Sequence, residues 1–175
     1  GLTDTLTGVE NASGSAFGDT LVAAASGSLL LGNGGIDIIG GGDGDDSLFG
    51  GDGTDTITGG LGNDSMSGGA GNDSMQGLGG DDTLDGGAGV DTLDGSAGID
   101  TAIFSFNAGP MIIDLVAGTA FDSIAGETDV VLQIENVVGS GAADTITGDG
   151  ADNVLDGGAG YDQLSGGGGD DTLIG

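Results

Sequence analysis

Residues 32 to 103 read GNGGIDIIG, GGDGDDSLF, GGDGTDTIT, GGLGNDSMS, GGAGNDSMQ, GLGGDDTLD, GGAGVDTLD and GSAGIDTAI, eight nonapeptides in one unbroken frame. Position 4 is Gly and position 6 is Asp in all eight. Position 8 is apolar throughout: Ile39, Leu48, Ile57, Met66, Met75, Leu84, Leu93 and Ala102. Self-similarity at a short fixed period is the mark of a solenoid, in which no unit can bury its apolar side chain alone.

Working outward, two looser units precede in the same frame, GSAFGDTLV from Gly14 and AAASGSLLL from Ala23. After Ile103 the frame breaks. Residues 104–138 hold most of the aromatics, the single Pro and longer apolar runs such as Met111-Ile112-Ile113. Nonapeptides return in a new frame from Gly139: GSGAADTIT, GDGADNVLD, GGAGYDQLS and GGGGDDTLI. Residues 1–50 align without a gap on 126–175, and Glu10-Asn11 with Gly14-Ser15 recurs as Glu135-Asn136 with Gly139-Ser140. The expected organisation is 1–13 as the end of a preceding separator, 14–103 as a first array, 104–138 as a β-rich separator or cap, and 139–175 as a second array. The chain reads as a section of a longer tandem protein.

Within a nonapeptide, the glycines allow a turn over the first six residues, and the last three form a short strand. Strand alternation sends position 8 inward and positions 7 and 9 outward. Two units complete one coil of eighteen residues, and coils stack as parallel strands about 4.8 Å apart. Each position-6 Asp therefore neighbours the Asp two units later. One apolar side chain per nine residues is little to set against the ordering of a Gly-rich backbone. Stacked carboxylates add repulsion. The bare chain is expected not to fold, and a cation between paired Asp residues reverses that electrostatic balance. Carboxylate and carbonyl oxygens without nitrogen or sulfur suit Ca²⁺, and Mg²⁺ less well.

Composition agrees. The 175 residues include 44 Gly and 29 Asp plus Glu, with no Lys, Arg, His, Cys or Trp and a formal charge of −29. Nucleic-acid binding is excluded for want of any cation. A P-loop, a His- or Cys-dependent triad and a zinc site are excluded likewise. Apolar runs are too short for membrane insertion. No leader opens the chain, so any targeting signal is expected to lie outside it or to have been removed.

The motif GGxGxDxUx resembles the signature of the RTX (repeats-in-toxin) family, whose repeats form calcium-stapled parallel β-rolls. Asp114-Leu115, Gly118-Thr119-Ala120 and Ile134-Glu135-Asn136-Val137 are similar to the segment that separates arrays in such proteins. The resemblance implies an all-β fold of two calcium-bound β-roll arrays joined by the separator. It also implies export by a type I route and folding on calcium outside the cell.

Carried over by position, the ligands are Asp37, Asp46, Asp55, Asp64, Asp73, Asp82, Asp91 and Asp100. The carbonyls of Gly35, Gly44, Gly53, Gly62, Gly71, Gly80 and Gly89 complete the shells. The bridging pairs are Asp37/Asp55, Asp46/Asp64, Asp55/Asp73, Asp64/Asp82, Asp73/Asp91 and Asp82/Asp100, about six well-formed Ca²⁺ sites in the range of such modules. Asp19, Asp144, Asp162 and Asp171 belong to degenerate units. Phe17 and Ala142 replace the position-4 Gly of Asp19 and Asp144, and Ser28 and Asn153 replace the ligand itself.

The remaining features read more simply. The position-7 row (Ser47, Thr56, Ser65, Ser74, Thr83, Thr92, Thr101) is the outer face of good β formers. Asp43, Asp45, Asp52 and Asp81 are solvated loop charge. No flat Thr/Asn array suited to ice is formed, and no carboxylate pair stands apart as a catalytic site. The expected function is non-enzymatic: a calcium-binding structural module of a secreted or cell-surface adhesin, surface-layer or filament protein. Its partners are calcium and copies of itself, end to end or laterally. The alternative is a folding or neutral-glycan-binding module of a type I secreted enzyme.

Overall fold

The computed structural model describes residues 4–24 and 27–175. Residues 1–3 of the first separator segment and residues 25–26 of the first array lie outside the described residues. The chain opens with β1 (Thr5–Val9), β2 (Asn11–Ser13) and β3 (Thr20–Ala23). The regular array carries β4 (Leu29–Gly34), β5 (Ile38–Asp43), β6 (Ser47–Asp52), β7 (Thr56–Leu61), β8 (Ser65–Ala70), β9 (Ser74–Gly79), β10 (Thr83–Ala88), β11 (Thr92–Ala97) and β12 (Thr101–Ile103). The separator contributes β13 (Met111–Asp114), β14 (Thr119–Asp122), β15 (Thr128–Leu132) and β16 (Asn136–Val138). The second array supplies β17 (Thr145–Thr147), β18 (Val154–Asp156), β19 (Gln163–Ser165) and β20 (Thr172–Ile174). No helix occurs among the described residues.

Alternate strands enter opposite sheets, which makes a parallel β-solenoid. One sheet runs β1-β3-β5-β7-β9-β11-β15-β14-β13-β17-β19, and the other runs β2-β4-β6-β8-β10-β12-β16-β18-β20. Register is kept by the repeat: Thr56 pairs with Ser74, Ile57 with Met75 and Thr58 with Gln76, an offset of two units. Position 8 faces inward from both sheets. Leu21, Leu30, Ile39, Leu48, Ile57, Met66, Met75, Leu84, Leu93 and Ala102 form a single buried file that continues through Val131, Val137, Ile146 and Leu155.

In the regular array the turn is tighter than the six residues expected. Strands continue from positions 7–9 into positions 1–3 of the following unit, as Gly60 pairing with Leu78 shows. The chain reverses only over positions 4–6. Position 4 needs Gly for two reasons visible at Gly53. Its φ is +145°, and a Cβ there would run into the Gly35 carbonyl of the preceding coil.

The separator continues both sheets. β15 pairs in parallel with β11, and β16 with β12, so each sheet gains a next strand. β14 then runs antiparallel to both β15 and β13, and β13 resumes parallel pairing with β17. Between β11 and β17 one sheet thus counts three strands, whereas its partner places β16 alone between β12 and β18. Phe104 and Ile134 are buried where the separator joins the file.

Candidate metal centre

The position-6 Asp closes each turn just before the strand that carries the inward position 8. The strand pairing therefore stacks these carboxylates into two columns, one along each edge of the roll. The side chains are almost wholly covered, from 0% exposed at Asp37 and Asp100 to 3% at Asp73. From Asp37 to Asp82 each Asp N–H donates to Oδ1 of the Asp eighteen residues later. The bonds Asp37 to Asp55, Asp46 to Asp64, Asp55 to Asp73, Asp64 to Asp82, Asp73 to Asp91 and Asp82 to Asp100 are all 2.8 Å. The structure brings together the six pairs expected from the spacing.

The second oxygen is left over. Oδ2 of Asp37, Asp46, Asp55, Asp64, Asp73, Asp82, Asp91 and Asp100 is buried with no hydrogen-bond partner. Such atoms are costly unless something compensates them. Their surroundings show a cradle. A Cβ at Gly68 would lodge against Asp73 Oδ2 and stand 2.6 Å from the Gly86 carbonyl oxygen. From Asp37 to Asp82 each Oδ2 thus sits beside the position-1 carbonyl of the following coil, with an Asp from that coil across the gap; at Asp100 the neighbouring carbonyl is that of Gln133. No three acidic side chains converge among the described residues. Two carboxylates per rung, supplemented by backbone carbonyls, are hard oxygen donors of the kind Ca²⁺ takes.

Electrostatics point the same way. Burial, reinforced by facing carboxylates, pushes Asp55, Asp64, Asp73, Asp91 and Asp100 up to about 6, although the amide bond each accepts pulls downward. Burial likewise raises Asp37, Asp46 and Asp82. With no Lys, Arg or His in the chain, no side chain can relieve this. A divalent cation on the rung would.

The degenerate units differ in a physically clear way. Asp19 Oδ2 accepts the Ser15 N–H at 2.6 Å, and Asp144 Oδ2 accepts the Ser140 N–H at 2.6 Å. Asn153 repeats the geometry, its Oδ1 taking the Asp149 N–H at 2.9 Å. In these three units the position-2 amide turns inward and hydrogen-bonds the position-6 side chain. The Ser15 amide, together with that of Asp4, holds Asp19 below the ordinary range. Asp162 Oδ2 is buried and unpartnered like the central file, whereas the half-buried Asp171 accepts the Asn153 N–H at 3.0 Å. The Ser28 N–H donates to Asp46 Oδ1 at 2.5 Å.

Three features were not foreseen. From Asp37 to Asp82 the carbonyl bordering Oδ2 is that of position 1. Position 5 carries a second ladder running the opposite way: Asn63 N–H to Asp45, Asp81 N–H to Asn63 and Ile99 N–H to Asp81, at 2.8–2.9 Å. Asp45 and Asp81 are thus hydrogen-bonding staples as well as loop charge. Finally, the position-6 ladder does not stop at Asp91 and Asp100. Asp91 N–H donates to Asp129 Oδ1 and Asp100 N–H to Glu135 Oε2, both at 2.9 Å. Asp129-Val130-Val131-Leu132 and Glu135-Asn136-Val137-Val138 keep the acid-x-apolar-x tetrad without its glycine loop, a signal that was present to be read.

A parallel β-roll with carboxylates stacked on both edges defines a calcium-binding repeat module. The RTX calcium-binding nonapeptide repeat matches in four copies, over residues 31–66, 67–102, 134–164 and 147–175. The chain belongs to that family. RTX repeats bind Ca²⁺ and are typical of secreted proteins. No curated protein matches the chain. Among the described residues no helix is long and apolar enough to cross a membrane.

Proposed function

We propose that this chain is a calcium-triggered structural module of a secreted or cell-surface repeat protein of adhesin, surface-layer or filament type, exported unfolded by a type I route. The observation that carries it is the file of eight buried, unpartnered Oδ2 atoms in a chain without a single cation. Asp37, Asp46, Asp55, Asp64, Asp73, Asp82, Asp91 and Asp100 hold the ions in pairs, with position-1 and position-4 carbonyls completing the shells. Bound calcium supplies the positive charge that lets the rungs close. The chain's own residues do the rest: Oδ1 receives the amide of the coil below, glycine admits the carbonyls, and position 8 fills the core.

Folding then follows calcium. Extracellular modules of this kind work at about 10⁻⁴–10⁻³ M, so the chain folds outside a cell and stays open inside it. Far-UV circular dichroism during calcium and magnesium titrations of the stripped protein tests this. A coil-to-β transition with calcium, and none with magnesium at the same concentration, is expected. Native β-structure in excess chelator would overturn it.

A further inference from the structure

We propose that copies of this chain join head to tail, the β19/β20 end of one roll docking on the β1/β2 end of the next in a defined register. The joint deepens the filament reading above and rests on it for the fold of each copy. Its occupant is a second copy of this sequence.

Three observations meet here. First, both ends of the roll are open edges. β1 and β2 begin the two sheets and β19 and β20 end them, each with a neighbour on one side only. The inward file is uncovered there: Leu6 is 36% exposed and Leu173 47%, whereas Val131 and Leu155 inside the roll are 2% and 0%. Such edges are templates for a further strand. Second, the chain already makes this joint once within itself. In the gapless alignment of residues 1–50 on 126–175, β1 corresponds to β15 and β2 to β16. Those two interior strands receive the end of a nonapeptide array, β15 on β11 and β16 on β12. The bonds are Asp91 N–H to Asp129, Asp100 N–H to Glu135 and Val130 N–H to the Asp91 carbonyl. Asp4, Glu10 and Thr5 stand at the corresponding places in the first coil. The backbone agrees as well, since Gln133 has φ +50° and its counterpart Gly8 has φ +67°.

Third, the β19/β20 end presents what β11/β12 presents. Asp162 and Asp171 hold position 6 ahead of Leu164 and Leu173, as Asp91 and Asp100 do ahead of Leu93 and Ala102. The atom nearest a Cβ at Gly95 is the Gln133 carbonyl oxygen from the receiving segment. At Gly166, the same position of the last coil, the three nearest atoms all belong to Asp171. A docked copy brings the Gly8 carbonyl to that place. Applied to the two ends, the internal register sets Gln163 beside Thr5 and Thr172 beside Asn11. Leu164 then covers Leu6 and Leu173 covers Ala12, so the apolar file runs on across the joint. Thr5 N–H donates to the Asp162 carbonyl, and Asp162 N–H to the Asp4 carboxylate. Because the two docking ends differ, the contact is heterologous: each added copy offers a fresh end and growth is linear. Every copy carries a formal charge of −29, so the joint closes only where cations offset that repulsion.

Sedimentation velocity of the whole chain in calcium, over a range of protein concentrations and with dichroism on the same samples, tests the joint. The mean mass of the parent should climb above the 16.4 kDa monomer as concentration rises. Thr5→Pro deletes the edge-facing N–H at the first residue of an edge strand, where Pro is tolerated. Leu173→Asp puts a charge on the opposite end. Each variant alone should stay monomeric, and an equimolar mixture of the two should stop at a dimer, because each supplies the end that the other has lost. A parent that folds in calcium but stays monomeric at every concentration overturns the joint. So does a mixture that forms no dimer, and so does growth of both variants like that of the parent, which would mark lateral contact. Should Leu173→Asp not reach the parent dichroism, Thr5→Pro alone decides: growth equal to the parent's overturns the joint, and a monomer supports it. A parent that remains coil in calcium fails the folding reading, and the joint falls with it.

Discussion

Asp73→Asn should stabilise and destabilise this protein at once, depending on calcium. Asp73 belongs to two rungs: its Oδ1 receives the Asp55 N–H at 2.8 Å, and its N–H reaches Asp91 at 2.8 Å with Oδ2 left over between them. Asn preserves shape and the Oδ1 acceptor and deletes only charge. Without calcium, that charge is a liability. Raising the carboxyl from 3.8 to about 6 corresponds to about 3 kcal/mol at about 1.4 kcal/mol per pH unit. Solvent at the loop edge screens part of it, leaving about 1–2 kcal/mol. With calcium, both rungs lose one of their two carboxylates, and about tenfold in affinity at each corresponds to about 1.4 kcal/mol per rung. The assay is circular dichroism: urea melts in chelator with an osmolyte that favours the compact state, then calcium titrations. Expected are greater resistance to urea in chelator and a higher calcium midpoint. An unchanged midpoint would show that Asp73 holds no ion. A weaker chelated state would show that its charge serves some favourable contact, contrary to the repulsion argued from Asp55 and Asp91.

Other outcomes follow from the same geometry. In the absence of calcium the rung carboxylates bind protons more tightly folded than unfolded, so stability is greatest below about pH 4 and falls as pH rises through about 6. Acidifying the stripped protein should therefore gain β-structure, whereas in calcium the midpoint should climb as pH drops below 6; a steady loss of β-signal on acidifying stripped protein would contradict this. Gly53→Ala should cost well above about 1 kcal/mol, because φ is +145° and the Gly35 carbonyl occupies the space. Gly40→Ala, with nothing within 4 Å and ordinary φ, should be near neutral in the same thermal melts. Asp144→Asn should leave the calcium count unchanged, since the Ser140 amide already satisfies Oδ2; loss of an ion there would put Asp144 among the ligands.

Much of the carboxylate ladder was legible in the sequence. The eight-fold recurrence of Asp at position 6, with apolar position 8 two residues on, requires a two-sheet roll in which Asp37, Asp55, Asp73 and Asp91 fall in one column and Asp46, Asp64, Asp82 and Asp100 in the other. Periodicity carries that information because each unit repeats the same local choice. What the spacing did not disclose is how the two carboxylate oxygens divide their work. One is a hydrogen-bond acceptor and one is unpartnered, a matter of where the amide of the coil below points. Nor did it reveal that Ser15 and Ser140 close their own Asp, because a backbone amide leaves no mark on residue identity.

The separator draws the line most clearly. Its apolar runs announce strands, and three of its four strands are the hairpin series β13, β14 and β15, which no nonapeptide rule describes. That Asp129 follows Asp91 in the ladder depends on β15 folding back beside β11 while β13 moves ahead to β17, a pairing between residues far apart in the chain. Composition and period alone determined the roll, its inward file and its demand for cations, since these are local and repeated. Tertiary structure alone decided which carboxylates keep an unpartnered oxygen, which face an amide, and which separator strand extends the ladder, because those outcomes turn on which strand becomes the next neighbour.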